Sequence, residues 1–119
     1  MQKELRLTSS GRFSQIHQES RAWVNNLLVL KALKNDGGET RFGLITTRRI
    51  GNAVARNRVR RRLREVLRNT PVKPGWDVVL IARNRDGVHI FSELQGAARS
   101  LLQRANLLEA GPNEKAALS

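Results

Sequence analysis

The sequence predicts an α/β fold with helices packed on a single sheet, in the order α-β-β-α-β-α with a small additional strand around Trp23. Three observations predict it. Two strand-like runs, Ala22–Lys34 and Thr40–Thr47, flank a segment of turn chemistry. Asp77–Arg83 reads DVVLIAR, apolar on both faces in the manner of a buried strand. Finally, Ala53–Asn69 and Phe91–Leu108 repeat their apolar residues with the period of a helix.

Residues 1–7 read as a loose lead-in. Ser9 or Ser10 caps a short helix over Gly11–Glu19, where Phe13, Ile16 and His17 share a face by their i, i+3, i+4 spacing. The strand signal in Ala22–Lys34 continues through Leu27–Leu33, and Asn35–Glu39 (NDGGE) is a turn of the Asp-Gly type. In the next strand, Phe42, Leu44 and Thr46 fall on one side and Gly43, Ile45 and Thr47 on the other. The two strands together read as a hairpin. Gly51 then breaks the chain, Asn52 caps the Ala53–Asn69 helix, and Pro71 with Pro74-Gly75 ends it. Beyond Asp77–Arg83 and a turn at Asn84–Gly87, the last helix carries Phe91, Leu94, Ala98, Leu101, Leu102, Ala105 and Leu108 on one stripe. Residues 1–108 make a single domain; residues 109–119 lack periodicity and bulk and are expected to be a disordered tail.

A chain of 119 residues supports a modest core. The absence of cysteine removes disulfides, thiolate chemistry and cysteine-ligated zinc. No apolar run approaches the ~18–20 residues that span a bilayer. The N-terminal MQKELRLTSSGRF has no apolar core of a secretory signal, so a cytoplasmic location is expected. A formal charge of +12 points to a polyanionic partner: nucleic acid, an anionic membrane or an acidic protein.

That charge is concentrated. Eight arginines and no acid lie between Arg48 and Arg64, which leaves +4 of the +12 for the rest of the chain. On the predicted helix, Val59, Leu63, Val66 and Leu67 form the core stripe, and Asn57, Arg61, Arg64 and Arg68 line the opposite, solvent side. Arg56 and Arg60 flank the stripe on one edge, Arg58 and Arg62 on the other. Like charges at i, i+4 repel by a few tenths of a kcal/mol per pair, and Glu65 is the only acid in the helix. A solvated basic face is the plain reading of such a helix. Two features favour polyanion binding instead: the missing acids, and the use of arginine throughout, whose planar fork engages phosphate oxygens bidentately. A strand rather than a second helix precedes this segment, which disfavours a DNA-reading helix-turn-helix.

Residues 51–65, GNAVARNRVRRRLRE, with Arg56-Asn57-Arg58 at their core, resemble the signature of the bacterial ribonuclease P protein subunit. The likeness extends to FGLITTRRIGNAV before them, DVVLIAR after them and LTSSGRFSQI near the N-terminus, and so covers about residues 5–108. It implies an α/β two-layer sandwich in the order α-β-β-β-α-β-α. A parallel pair of strands is joined across the basic helix by a left-handed crossover, against the ~98% right-handed rule. It also implies the small subunit of a ribonucleoprotein endonuclease that removes the 5′ leader of precursor tRNA. Hydrolysis is then carried by the RNA subunit with magnesium, and the protein supplies no catalytic residue and binds no cofactor.

By position, the resemblance assigns Gly51, Arg56, Asn57, Arg58, Arg60, Arg61 and Arg64 to the catalytic RNA, with Gly51 permitting a tight entry to the helix. It assigns a cleft beside the first helix to the single-stranded leader, with Phe13, Thr47, Arg48 and Arg49 at matching positions. The chain departs from the family pattern at two cleft positions: His17 stands where many members carry a second aromatic, and Lys31 where many carry a tyrosine. Stacking on an aromatic contributes about 1–3 kcal/mol per base. This cleft therefore leans more on charge and on the histidine ring.

Read from the residues alone, Phe13 is a core residue, and Trp23 and Trp76 are packing residues at sheet margins. Arg83 and Arg85 extend the basic surface or are simply solvated, and His89 is a cap or surface residue. The ten acids are scattered from Glu4 to Glu114, with none of the clustered carboxylates that a two-metal protein nuclease needs. The competing functions are a structural ribosomal protein or a general RNA chaperone, which the same helix would serve. An anionic-membrane binder fits the charge but not the narrow apolar face, which packing requires.

Overall fold

The computed structural model describes residues 5–84 and 90–109. In chain order they form β1 (Leu5–Arg6), α1 (Ser10–Glu19), β2 (Trp23–Val24), β3 (Leu28–Lys34) and β4 (Arg41–Thr46). A 3-10 turn (Arg48–Ile50) leads into α2 (Ala53–Arg68), followed by β5 (Trp76–Ala82) and α3 (Phe91–Arg104). The strands make one sheet in the order β1-β4-β5-β3-β2.

β5 is the middle strand. It pairs antiparallel with β3, from Leu28 opposite Ala82 to Lys34 opposite Trp76, and parallel with β4, from Arg41 opposite Asp77 to Thr46 opposite Ala82. A strand covered on both faces has to be apolar on both, and Asp77–Leu80 and Ala82 are all buried. The parallel β4–α2–β5 unit is the strand pair joined across the basic helix.

The central position of β5 overturns the hairpin. β3 and β4 follow one another in sequence, but β5 is inserted between them. The Asn35–Glu39 segment is held to the entry of β5 instead of closing a two-strand turn. Asn35 N donates to Gly75 O at 2.8 Å, Thr40 Oγ1 donates to Lys73 O at 2.6 Å, and Trp76 N donates to Thr40 Oγ1 at 3.2 Å. The lead-in expectation is overturned too, because β1 pairs parallel with β4 and Leu7 N donates to Phe42 O at 2.9 Å. A strand of two residues is too short to leave a periodicity.

α2 and α3 cover one face of the sheet. Val59, Leu63, Val66 and Leu67 of α2 and Leu94, Ala98, Leu101 and Leu102 of α3 pack against Leu28, Leu30, Ala32, Val78, Leu80 and Ala82. The predicted stripe of α2 is the buried one, and Asn52 caps the helix by accepting from Ala55 N at 2.9 Å. α3 stops at Arg104 rather than Leu108. Asn106 takes a left-handed conformation (φ 59°), Leu107 N turns back to Leu102 O, and Leu108 forms a bridge with Val72. Phe91, placed by its spacing on the core stripe, is 39% exposed in the first turn. Arg85, His89, most of the Asn84–Gly87 turn and the tail from residue 110 lie outside the described residues.

α1 covers part of the other face by itself. Ser9 is its cap, with Oγ accepting from Arg12 N at 3.3 Å. Ile16 is buried with Leu7 and Val79, and Phe13 packs against that group.

Candidate nucleic-acid interface

The polar residues of the α2 basic stretch differ in how far they are exposed. Asn57, Arg58 and Arg61 are exposed, whereas Arg56, Arg60, Arg62 and Arg64 are half-buried. Arg56 Nη1 donates to Gly51 O at 2.8 Å, and Arg60 donates to Thr46 Oγ1 and to Asn57 Oδ1. The edge of the helix carrying Arg56 and Arg60 is thereby fixed to the strand–helix connection. Arg64, expected on the solvent side, instead shares a pocket with Phe42 and Leu44 of the sheet edge. Glu65 is paired with Arg68 at 2.8 Å, at the C-terminal end of the helix.

The entry to α2 needs its glycine. Gly51 sits at φ 136°, and a Cβ there would come 3.2 Å from Ala55 Cβ. Just before it, Thr47 N donates to Ala82 O at 3.0 Å and Gly51 N to Arg48 O at 3.1 Å, which folds the Arg48–Ile50 turn over the end of the sheet. Ile50 is buried beneath that turn, and Arg48 and Arg49 are exposed.

On the α1 side the sheet is incompletely covered. A cleft of about 280 Å³ lies between α1 and the sheet, lined by Phe13, Ile16 and His17 from the helix and by Lys31, Ile45 and Ile81 among others from the strands. Phe13 lies against Gly43, where a Cβ would come 2.5 Å from Phe13 Cζ. Only a glycine lets the ring lie this close to the strand. Lys31 Nζ donates to His17 O at 3.1 Å and lies 3.1 Å from His17 Nδ1, so the two departures from the family pattern hold one another. Phe13, His17 and Lys31 are brought together in the cleft. Thr47, Arg48 and Arg49 do not line it; they follow directly on β4, whose Ile45 does.

A polar cluster missed by the sequence reading anchors α1. Asp77, at the head of β5, has a fully buried side chain on which three elements converge. It accepts from Arg12 Nε of α1 at 2.7 Å, from Arg41 Nε and Nη2 of β4 at 2.8 and 2.7 Å, and from Asn35 Nδ2 at 2.8 Å. Burial pushes the Asp77 carboxyl up, but the hydrogen bonds from Arg41, Arg12 and Asn35 outweigh it and hold the pKa lowered to about 2. The same bond raises Arg41. The available signal was an acid opening a strand that is otherwise apolar on both faces. Nothing local pointed to Arg12 or Arg41 as its partners.

This arrangement has known counterparts. Residues 1–106 match the model of the family described as ribonuclease P. The ribonuclease P protein component of Roseiflexus sp. (strain RS-1) is 38% identical over 113 residues, covering 92% of this chain and 93% of its own. That of Dehalococcoides mccartyi (strain CBDB1) is 36% identical, covering 91% and 90%. Among solved structures, the ribonuclease P protein of Thermotoga maritima superposes with a TM-score of 0.74 at 27% identity, over 88% of this chain and 98% of its own. The Staphylococcus aureus protein shares the fold at a TM-score of 0.77 and 22% identity, over 90% and 100%. A chain with this helix, this cleft and these relatives belongs to the ribonuclease P protein family.

Proposed function

We propose that this chain serves ribonuclease P as its RNA-binding subunit, using two separate surfaces of one scaffold. α2 docks on the RNA subunit through Arg56, Asn57, Arg58, Arg60, Arg61 and Arg64, with Gly51 setting its angle of entry. The cleft under α1 receives the single-stranded 5′ leader of precursor tRNA, with Phe13 as the stacking platform and His17 and Lys31 as its polar side. Thr47, Arg48 and Arg49 extend the binding surface past the end of β4. Hydrolysis belongs to the RNA subunit with magnesium, and the protein acts through binding. No helix among the described residues is long and apolar enough to cross a membrane, and the reading places the protein in the cytoplasm with its RNA.

The observation that carries this reading is the pairing of a carboxylate-poor arginine helix with an open, aromatic-floored cleft on the opposite face of the same sheet. A strand of RNA needs both phosphate partners and a surface on which bases can lie. A structural ribosomal protein or general chaperone needs only the helix.

The deciding experiment is reconstitution with the cognate RNA. Added protein is expected to lower the magnesium needed for cleavage and to favour precursor over mature tRNA, while protein alone leaves precursor tRNA intact. Cleavage by RNA-free protein, or equal affinity of the reconstituted particle for precursor and mature tRNA, would overturn the reading.

A further inference from the structure

Phe13 is a wall of two pockets. One is the cleft under α1; the other, of about 140 Å³, wraps around the outer edge of β4. Arg6 of β1, Thr8, Gly43 and Leu44 of β4 and Arg64 of α2 are among the residues that line this second pocket. The register of β1 with β4 ends at Arg6 opposite Phe42, so among the described residues no strand pairs with the outer edge of β4 from Gly43 onward. Alternate residues of a strand turn their backbone groups to opposite sides. Phe42 O accepts from Leu7 on the outer side, so the Leu44 amide and carbonyl face that side as well.

We infer that this edge pocket is an anion subsite for a phosphodiester of the leader, which leaves the cleft over Phe13 and passes around β4 toward α2. Two arginines from distant parts of the sequence, Arg6 and Arg64, line it, and guanidinium groups engage phosphate oxygens with charge-assisted hydrogen bonds. Among the described residues Phe13 lines both the pocket and the cleft, so a strand lying on that ring has a continuation at the edge of β4. Arg64 then stands where the leader path and the α2 surface meet. The inference rests on the cleft reading above and extends it past Phe13.

The test uses the reconstituted holoenzyme and precursor tRNAs with leaders of increasing length. Arg6 is exposed and lies outside the packed core, so Arg6→Ala is not expected to unfold the protein. It should weaken binding of long-leader substrates by about 3- to 10-fold, the range of an exposed charge-assisted contact, and leave the shortest leaders unaffected. Arg6→Lys should recover part of the loss. Thr8→Glu, which adds a carboxylate at an exposed lining position, should exceed it. Arg104→Ala, on a residue bonded to β2 at the opposite edge of the sheet, controls for general charge and should show no leader-length dependence.

A loss with Arg6→Ala that is equal at all leader lengths, or no loss at all, overturns the subsite. A loss in binding of the RNA subunit alone assigns the phosphodiester to that RNA and overturns the leader assignment. Failure of the cleft reading itself looks different, because unaltered protein would then show no dependence on leader length.

Discussion

The two faces of the sheet are built from alternate residues of the same strands and have opposite fates. Under α2 and α3, Leu30, Leu63, Val78, Leu80 and Leu101 are all completely buried. Under α1, Ile45 is 38% exposed and Lys31 and Ile81 are half-buried around an open cleft. Two helices suffice to close one face, and one short helix leaves the other partly bare. The difference separates the labour of the molecule. The closed face supplies the apolar burial that holds the α2 arginines on a rigid support despite their mutual repulsion. The open face holds its helix mainly by a small apolar group and the Asp77 cluster, and leaves the rest of its surface uncovered by the described helices.

The sharpest way to break this comparison is to remove core volume from each face. Leu63→Ala should cost about 2–5 kcal/mol of stability, as buried Leu→Ala changes do, whereas Ile45→Ala should cost under about 1 kcal/mol, because much of that side chain is already in water. Denaturant titration of both variants measures this directly. Equal losses would mean that the open face contributes to the core as the closed one does.

Acid should act next, through the clasp on the open side. The Asp77 carboxyl titrates at about 2 when folded and near 3.9 when unfolded, so the unfolded chain takes up its proton first as pH falls. The stabilisation is complete above about pH 5 and disappears as pH falls through 2, a loss of roughly 2–3 kcal/mol. Stability measured across this range should fall more steeply in the unaltered protein than in Asp77→Asn, which starts less stable and lacks this titration. Parallel curves would remove Asp77 from the account.

The smallest effect concerns the helix carried by the closed face. If about five phosphates are engaged, the log–log slope of RNA affinity against salt should be about −3.5 to −4.5. Replacing Arg61 and Arg64 together by Ala should flatten it by about one to two units, with little change in thermal stability. An unchanged slope would move the phosphate contacts off α2.

Much of the closed face was legible in the sequence. The α2 stripe, its Asn52 cap and the double-sided β5 are local patterns, and each appears where the residues place it. Legibility failed where a pattern was too short or a partner too far. β1 has two residues, and α3 stops at Arg104 ahead of a left-handed Asn106, a weaker stop signal than a glycine. Turn chemistry at Asn35–Glu39 suggested adjacent strands because it describes only the chain's reversal, not what slides between. In the candidate site, the arginine helix stood out from the residues themselves, and Phe13 only through the family resemblance. The Gly43 seat of the ring and the mutual hold of His17 and Lys31 were not visible, because each joins residues distant in sequence.

From the sequence alone came the cationic helix, its buried stripe and a strand buried on both faces, because charge, period and capping act over a few residues. The tertiary structure alone decided that β5 parts β3 from β4, that Arg12 and Arg41 close on Asp77, and that Phe13 stands between two pockets. Those outcomes depend on which distant surfaces can be buried together and which buried charges can be satisfied, and that competition is settled only when the whole chain has packed.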